Sequence, residues 1–581
     1  MRTTLLEYRI RIQRLFHFSS SHSMLLWALA VGFLGALATI LFRECILGLQ
    51  ILLTGKSGSF VAIAKSLPWH WRVILPTGGG VVAGLILLLA KRVPSAATSD
   101  YMEAVAIGDG NIPVRHSLLR SLSSLATIAS GGSIGREGSM VQLSALAASL
   151  VGRITHFEPS RLRLLVACGA AAGITSAYNA PIAGAFFVTE IVLGAIVMES
   201  FGPVVVASVV ANITMRALPG YKPAYEMPAF PTIAGGEIAL FVVLGILAGV
   251  TAPQFLRLLN SSKKQFQKTG LPLPVRLGLG GLMVGLISVW VPEVWGNGYS
   301  VVNSLLHTSW LWWSVVLILV AKVIATAVTA GSGAVGGIFT PTLFVGAAIG
   351  FLFGMAVHAL LPNISSPPFA YAIVGMGAFL AAATSAPLMA ILMIFEMTLS
   401  YSVMLPLMLS CVVAYFIARS LDGASMYDVT LKRNRDAQER MRLRGIHMSD
   451  LIRPADTVLA MSAPFDEISR LFLKYPVKYI YIVDDDQHYC GVVALQDITS
   501  VLLDKSETST RVAADFLRKE FLHVITPDMS LGNALQLFLD HQGERLPIVR
   551  SRAEPVLLGA IFKSALLEAY FRLDNVKGYA G

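Results

Sequence analysis

The 581-residue chain is 55% hydrophobic and only 14% charged, with a mean hydropathy of +0.67; soluble domains carry about 25% charged residues. That composition excludes a soluble globular protein for most of the chain and requires the bulk of it to face lipid. The formal net charge is +10, but no basic patch interleaved with base-stacking aromatics appears, which excludes nucleic acid as the partner.

Residues 1–22 are basic, with Arg2, Arg9, Arg11 and Arg14, and read as an interfacial or cytoplasmic helix. The apolar run that follows is too long for a signal-peptide core and lacks a small-residue cleavage site. From Ser23 to about Leu421, runs such as "MLLWALAVGFLGALATILF" and "VILPTGGGVVAGLILLLA" recur. A span needs about 20 apolar residues. Several runs are shorter or broken by Gly and Pro, so they predict helices that stop partway across. The expected class is an all-α polytopic membrane protein over residues 23–430. A basic linker, 431–445, holds "KRNRDAQERMRLR", and the positive-inside rule puts both flanks in the cytoplasm. Cys45, Cys168, Cys411 and Cys490 are scattered without CxxC spacing, which predicts neither a zinc site nor a disulfide framework.

The membrane region is internally repeated. "AYNAPIAGAFFVTE" (Ala177–Glu190) matches "ATSAPLMAILMIFE" (Ala383–Glu396) at an offset of 206, and "GSIGRE" (Gly132–Glu137) matches "GAVGGI" (Gly333–Ile338) at 201. Duplicated halves whose interrupted helices meet near the midplane are a transporter architecture, and that architecture implies inversion of one half. Beyond Ile446 charges become frequent and a second repeat begins. "LFLKYPVKYIYIV" (Leu471–Val483) matches "LFLDHQGERLPIV" (Leu537–Val549) at an offset of 66. Each copy, 446–505 and 511–573, reads as helix, strand, turn, a second strand opening with Gly491 or Gly559, and helix. This is a soluble α/β pair.

Glycine-rich helix starts give the membrane region its chemistry. The first turn of a helix has unpaired N–H groups and partial positive charge, and glycine lets a ligand approach that backbone. Several such starts aimed at one point hold an anion weakly enough to release it. "GGSIGREG", "GSGAVGGIFTP" and the turn at 94–104 have this form. Tight helix packing by small residues is the plainer explanation, but recurrence in both halves, with a carboxylate in one, favours an ion site. Glu137 is itself an anion and competes for that site; protonated, it leaves. Intramembrane ionisable groups are functional candidates, and Arg136 points about 100° away from its neighbour on a helix, so the two pair poorly.

These residues resemble the CLC chloride channels and chloride/proton antiporters. "GREGSM" is similar to the family's GREGP motif, "GGIFTP" to GGIFAP, and "SMYDVTL" to the segment with its pore tyrosine. The resemblance spans about Ser23 to Thr430. It implies an inverted-repeat homodimer in the cell inner (plasma) membrane, with one anion pore per subunit. It further implies Glu137 as gate, backbone N–H groups of Arg136 to Gly138 around the outer anion, those of Ile338 and Phe339 around the central one, and the Tyr427 hydroxyl beside it. Two positions depart from the family. No GSGIP motif precedes Tyr101; Thr98 or Ser99 stands in for its serine. The family's inner proton-relay glutamate is replaced by Ile191, next to Glu190, which is expected to cap or orient helices, as is Glu396. Retaining Glu137 without the inner acid points to a channel-like anion pathway; proton-coupled exchange by another route is the alternative.

The tail resembles a tandem CBS pair, a module often regulated by adenine nucleotides. Copy one keeps Asp497 of the ribose-binding pattern but has Ala494 in place of its hydroxyl residue, and copy two has Phe562 and Ala565 at the two positions. A structural, dimer-stabilising role is therefore expected beside nucleotide sensing; no other cofactor or metal is implied. A CBS-regulated cation transporter would need converging carboxylates, and Glu103, Glu190 and Glu396 are dispersed. An enzyme is excluded further by the lack of HExxH or GxSxG in the spans.

Overall fold

The computed structural model describes residues 20–92, 100–106, 108–194, 198–218, 223, 225–231, 233, 235–421, 425–427, 448–503, 511–519, 523–540 and 544–575. Residues 1–19, Thr98, Ser99 and the linker 431–445 lie outside this set. The chain divides into two compact units, Met1–Leu431 and Lys432–Gly581.

In the first unit the helices of the first half are α1 (Ser20–Thr54), α2 (Phe60–Ser66), α3 (Trp69–Arg92), α4 (Tyr101–Ala106), α5 (Val114–Ala129), α6 (Glu137–Ile154), α7 (Pro159–Tyr178), α8 (Pro181–Phe186) and α9 (Met198–Arg216). The second half holds α10 (Ile238–Lys268), α11 (Leu273–Trp290), α12 (Tyr299–His307), α13 (Trp312–Gly331), α14 (Phe339–Leu360), α15 (Pro368–Thr384), α16 (Pro387–Thr398) and α17 (Met404–Leu421). Among the described residues, eight helices are long and apolar enough to cross a membrane. Their outer faces carry exposed Leu41, Ile213, Leu317 and Leu405, a distribution that suits lipid. At the centre α7 and α15 are rich in Ala and Gly and almost wholly buried, so other helices pack close around them.

The halves are inverted, and the packing shows it. Gly80 and Gly84 of α3 lie so close to α11 that a Cβ would come within 2.3 and 2.4 Å of Leu277 and Pro274; Gly281 and Gly285 of α11 meet Pro76 and Val73 of α3 in return. As the residue number rises along one helix, that of its contact falls along the other, so these equivalent helices run antiparallel. Reciprocal contacts of this kind are the signature of a two-fold relation.

Each half breaks its chain at the Ala-Pro motif. α7 ends on Asn179 (φ 60°) and α15 on Ser385 (φ 58°), both left-handed. Pro181 and Pro387 then open the next helix at its first position, where a missing N–H costs nothing. One difference breaks the symmetry: α8 continues as a π-helical segment, Phe187–Leu193, while α16 stays α-helical.

The second unit has the expected order in both copies. Copy one has strand β1 (Val458–Ala460), helix α18 (Phe465–Lys474), strands β2 (Tyr479–Val483) and β3 (Tyr489–Ala494), and helix α19 (Leu495–Leu503). Copy two has α20 (Leu531–Asp540), β4 (Arg545–Val549), β5 (Leu557–Phe562) and α21 (Lys563–Asn575). β1 pairs parallel with β2, and the β2–β3 and β4–β5 pairs are antiparallel. Gly491 and Gly559 do not open their strands but sit third in them, at φ 147° and 156°. A segment crosses at each: a Cβ there would lie 2.5 Å from the carbonyl oxygen of Arg518 or Arg453. The crossing segments are exchanged. Arg453, at the start of copy one and ahead of β1, bridges to β5, while Arg518, at the start of copy two and ahead of α20, bridges to β3. Met448 accordingly lies in the core of copy two, and Phe516 in that of copy one. Each copy completes the other.

Candidate functional site: two glycine-led helix starts around a buried glutamate

The glycine loops pack against each other. Gly131 and Gly333 turn the chain at φ 99° and 100°, six residues ahead of the helices α6 and α14. Gly135 and Gly337 then exchange both backbone hydrogen bonds, at 2.7 and 2.8 Å. Arg136 and Ile338 are the N-caps, and the helices begin at Glu137 and Phe339. The structural equivalence is therefore 202 residues, one more than the 201 read from the aligned motifs: the left-handed glycine of each loop, which fixes the turn, is Gly131 against Gly333. Gly138 packs on Gly337, where an added Cβ would lie 3.3 Å from the Gly337 nitrogen. Two first turns, with their unpaired N–H groups, thus face the same place.

Glu137 sits at that place, 1% exposed. It forms no ion pair with Arg136 or with any other described residue. Oε1 accepts a 2.7 Å hydrogen bond from the Tyr299 hydroxyl. Oε2 lies against Gly135 and Gly337, where a Cβ would come within 2.1 and 3.4 Å of it, and it has no hydrogen-bond partner. The carboxylate is thus held by a tyrosine, a contact the motifs gave no sign of. Among the described residues it is the only carboxylate with a buried, unpartnered oxygen. The other buried glutamates differ. Glu237 accepts three bonds, from Ser366 N, Ser366 Oγ and the Tyr371 hydroxyl.

Tyr299 belongs to a chain of hydroxyls. Thr340 Oγ1 donates to it at 3.3 Å and lies 2.8 Å from the Tyr178 hydroxyl. The Arg136 guanidinium lies over the Tyr299 ring, 5.4 Å from its centroid, and Tyr225 meets that ring edge-on at 4.8 Å. The loop before Tyr299 is fixed by buried Lys322, whose ammonium donates to the carbonyls of Val294 and Gly296 at 2.8 and 2.6 Å. Trp295 of that loop fills the space beside Gly131. A tyrosine at a helix start is an ordinary residue, which is why "GNGYS" gave no signal; only the neighbouring glycines hint at a tight approach.

A cavity of about 510 Å³ lies beside the two helix starts. Its lining includes Glu137, Gly138, Ile338, Phe339, Tyr427 and Asp100. Arg120 and Lys263 add positive charge to it. Tyr427 packs edge-on against Phe187 at 5.9 Å, and its segment is tied to α15 by the bond from Met426 N to Ala383 O. Thr98 and Ser99 fall outside the described residues, although the next two residues, Asp100 and Tyr101, do line the cavity.

Glu190 has the capping role read from the sequence. Its carboxylate accepts the N–H groups of Leu388 and Met389 at 3.3 and 2.8 Å, and Glu396 accepts those of Ile182 and Ala183 at 2.8 and 2.7 Å. At the offset of 206 each glutamate caps the other half's equivalent helix. Ile191 is fully buried. In the second unit Asp497 forms an ion pair with Arg518, so the carboxylate left from the ribose-binding pattern is already engaged.

Inverted halves, broken helices and a buried acid at their meeting point define a class: a multi-pass membrane transport protein. Residues 78–419 match the family described as "Voltage gated chloride channel", and residues 448–504 match the CBS domain. A Ralstonia nicotianae protein described as a ClcB-like chloride channel protein is 55% identical over 72% of this chain and 99% of its own length. The Escherichia coli voltage-gated ClC-type chloride channel ClcB is 41% identical over 69% of this chain and 97% of its own length. The crystal structure of a slow cyanobacterial Cl⁻/H⁺ antiporter superposes with a TM-score of 0.63 at 26% identity, over 72% of this chain and 99% of that one. The chain belongs to the voltage-gated chloride channel family, whose members are membrane transporters and channels, not enzymes.

Proposed function

We propose that the protein carries chloride, or a similar small anion, along the cavity between the repeats, and that Glu137 gates it. One observation carries this: a buried carboxylate with an unpartnered oxygen stands where two glycine-led helix starts meet. An anion in its place is held by the N–H groups at the start of α6, and deeper in by those of Ile338 and Phe339 and the Tyr427 hydroxyl. The family resemblance assigns the remaining hydroxyl of that site to Thr98 or Ser99. Ionised, Glu137 competes for the outer position; protonated, it has no charge to hold there.

The pathway is channel-like, because Ile191 cannot relay a proton. The names of the Ralstonia and Escherichia relatives favour chloride as the ion. The protein acts as a homodimer in the inner membrane with cytoplasmic termini, and the CBS pair serves chiefly as a structural element, with adenine nucleotide its alternative ligand. Coupled exchange with protons is the second reading. The hydroxyl chain Tyr178–Thr340–Tyr299 reaches Glu137 without a carboxylate at 191, and the solved relative is an antiporter.

Liposome flux with chloride, nitrate and fluoride tests both. Anion flux that persists with little shift of reversal potential under a proton gradient supports the channel; a strong shift supports exchange. No anion flux at all refutes the proposal.

A further inference from the structure

The gate in this chain has a hydroxyl holding it. An ionised carboxylate only accepts hydrogen bonds, so with Glu137 charged the polarity of the chain is fixed. Tyr299 donates to Glu137, Thr340 donates to Tyr299, and Tyr178 donates to Thr340. Each bond polarises the next. The donor at the end of this chain is also held rigidly. Its ring packs against both the Arg136 guanidinium and the Tyr225 ring. Gly298, the N-cap of its helix, takes φ 100° with its α-carbon against the Phe344 ring. Lys322 fixes the two carbonyls just ahead.

The geometry points to Tyr299 as a positioning residue that latches Glu137 in the anion pathway, with Thr340 and Tyr178 aligning its hydroxyl. This rests on the reading of Glu137 as the gate. The two oxygens then have separate tasks: Oε1 is tethered, while Oε2 faces the meeting of the two loops. A protonated carboxyl no longer draws the hydroxyl strongly, because the bond loses its charge. Opening therefore breaks the latch, and the latch opposes opening. The sign follows. The hydroxyl favours the charged, seated gate, so removing it lets the gate open at higher pH.

Other charged or titratable groups face the same space: Arg136 on the gate's own loop, Asp100 and Tyr101 ahead of and within α4, Arg120 on α5, Tyr178 on α7, Tyr225 before α10, Lys263 on α10 and Tyr427 after α17. Tyr299→Phe leaves all of them in place, together with the ring contacts of residue 299.

The test is the pH profile of anion flux from liposomes containing the full chain, for wild type, Tyr299→Phe, Glu137→Gln and the double variant. A hydrogen bond to a charged group contributes about ten- to a hundredfold in an equilibrium, so Tyr299→Phe moves the half-maximal pH upward by about one to two units. Thr340→Val moves it in the same direction by less, and provides the readout should Tyr299→Phe fail to fold. In the Glu137→Gln background, Tyr299→Phe changes nothing. A Tyr299→Phe profile that superimposes on wild type, or an equal effect of Tyr299→Phe with and without Glu137, overturns the latch and leaves the gate intact. A Glu137→Gln protein that keeps the wild-type pH profile overturns the gate itself.

Discussion

The glycine loops ahead of α6 and α14 share a frame and differ in what stands on it. Both turn at a left-handed glycine, both pair through Gly135 and Gly337, and both start a helix one residue after a capping residue. The first helix then begins with Glu137 and the second with Phe339. Glu190 and Glu396 are the opposite case, since the acid is kept in both halves and each makes the same bonds in the other. A carboxylate that obeys the pseudo-symmetry is part of the scaffold. One that breaks it, and leaves an oxygen unpartnered, is Glu137, the residue proposed as the gate.

The largest effect expected tests the scaffold half of that contrast. Glu396→Leu leaves the N–H groups of Ile182 and Ala183 unpaired, at about 1–3 kcal/mol for the buried one at Ala183, and Glu190→Leu leaves the less buried N–H groups of Leu388 and Met389 unpaired in the other half. Both variants lose thermal stability in detergent, each by several degrees, while any flux that survives keeps its pH dependence. A Glu190→Leu protein of normal stability but altered pH dependence would make that residue part of the path.

Overpacking the loops comes next. A Cβ at residue 135 would lie 2.8 Å from the Gly337 carbonyl and 2.1 Å from Oε2 of Glu137, whereas one at residue 337 meets the Gly138 nitrogen at 3.0 Å. Gly135→Ala thus displaces both frame and gate, for about 1–3 kcal/mol, and Gly337→Ala costs less. Flux from liposomes shows the order: the pH profile is disturbed more by the first substitution than by the second. Equal profiles would break the assignment of Oε2 to that space.

In the second unit, Gly491→Ala and Gly559→Ala each force a Cβ onto a crossing backbone at strongly positive φ. Each weakens that unit by about 1–3 kcal/mol. Because the copies exchange segments, limited proteolysis of the full chain should open both copies together in either variant. Loss of one copy alone would contradict the exchange. The smallest effect is at Ser385, held left-handed at φ 58°; replacement by Gly relieves strain of about 1 kcal/mol, partly offset by a more flexible unfolded chain. Asn179→Gly also loses the bond from Arg216 Nε to the Asn179 side chain and so is the more harmful of the two, as paired melting curves would show.

Much of this was legible in the chain because it rests on local chemistry. Ala-Pro after a helix, glycine before one and a lone acid between glycines each have a single strong physical reason. The hydroxyl chain was not legible, since Tyr178, Tyr299 and Thr340 come from three distant segments and an isolated tyrosine is an ordinary residue. Lys322 was hidden for the same reason: its partners are carbonyls, which every residue has. The one-residue error in matching the loops arose because consecutive glycines look alike in sequence, and only the left-handed turns at Gly131 and Gly333 set the register. The strands around Gly491 and Gly559 began two residues earlier than expected, because the glycine marks a crossing and not a strand end.

Bromide diffraction from crystals of wild type and Glu137→Ala tests the competition for the site most directly. The account predicts anomalous density between the starts of α6 and α14 in Glu137→Ala, where the carboxylate stood, and none at that position in wild type. Bromide there in wild type with Glu137 still seated, or no bromide there in the variant, would contradict it.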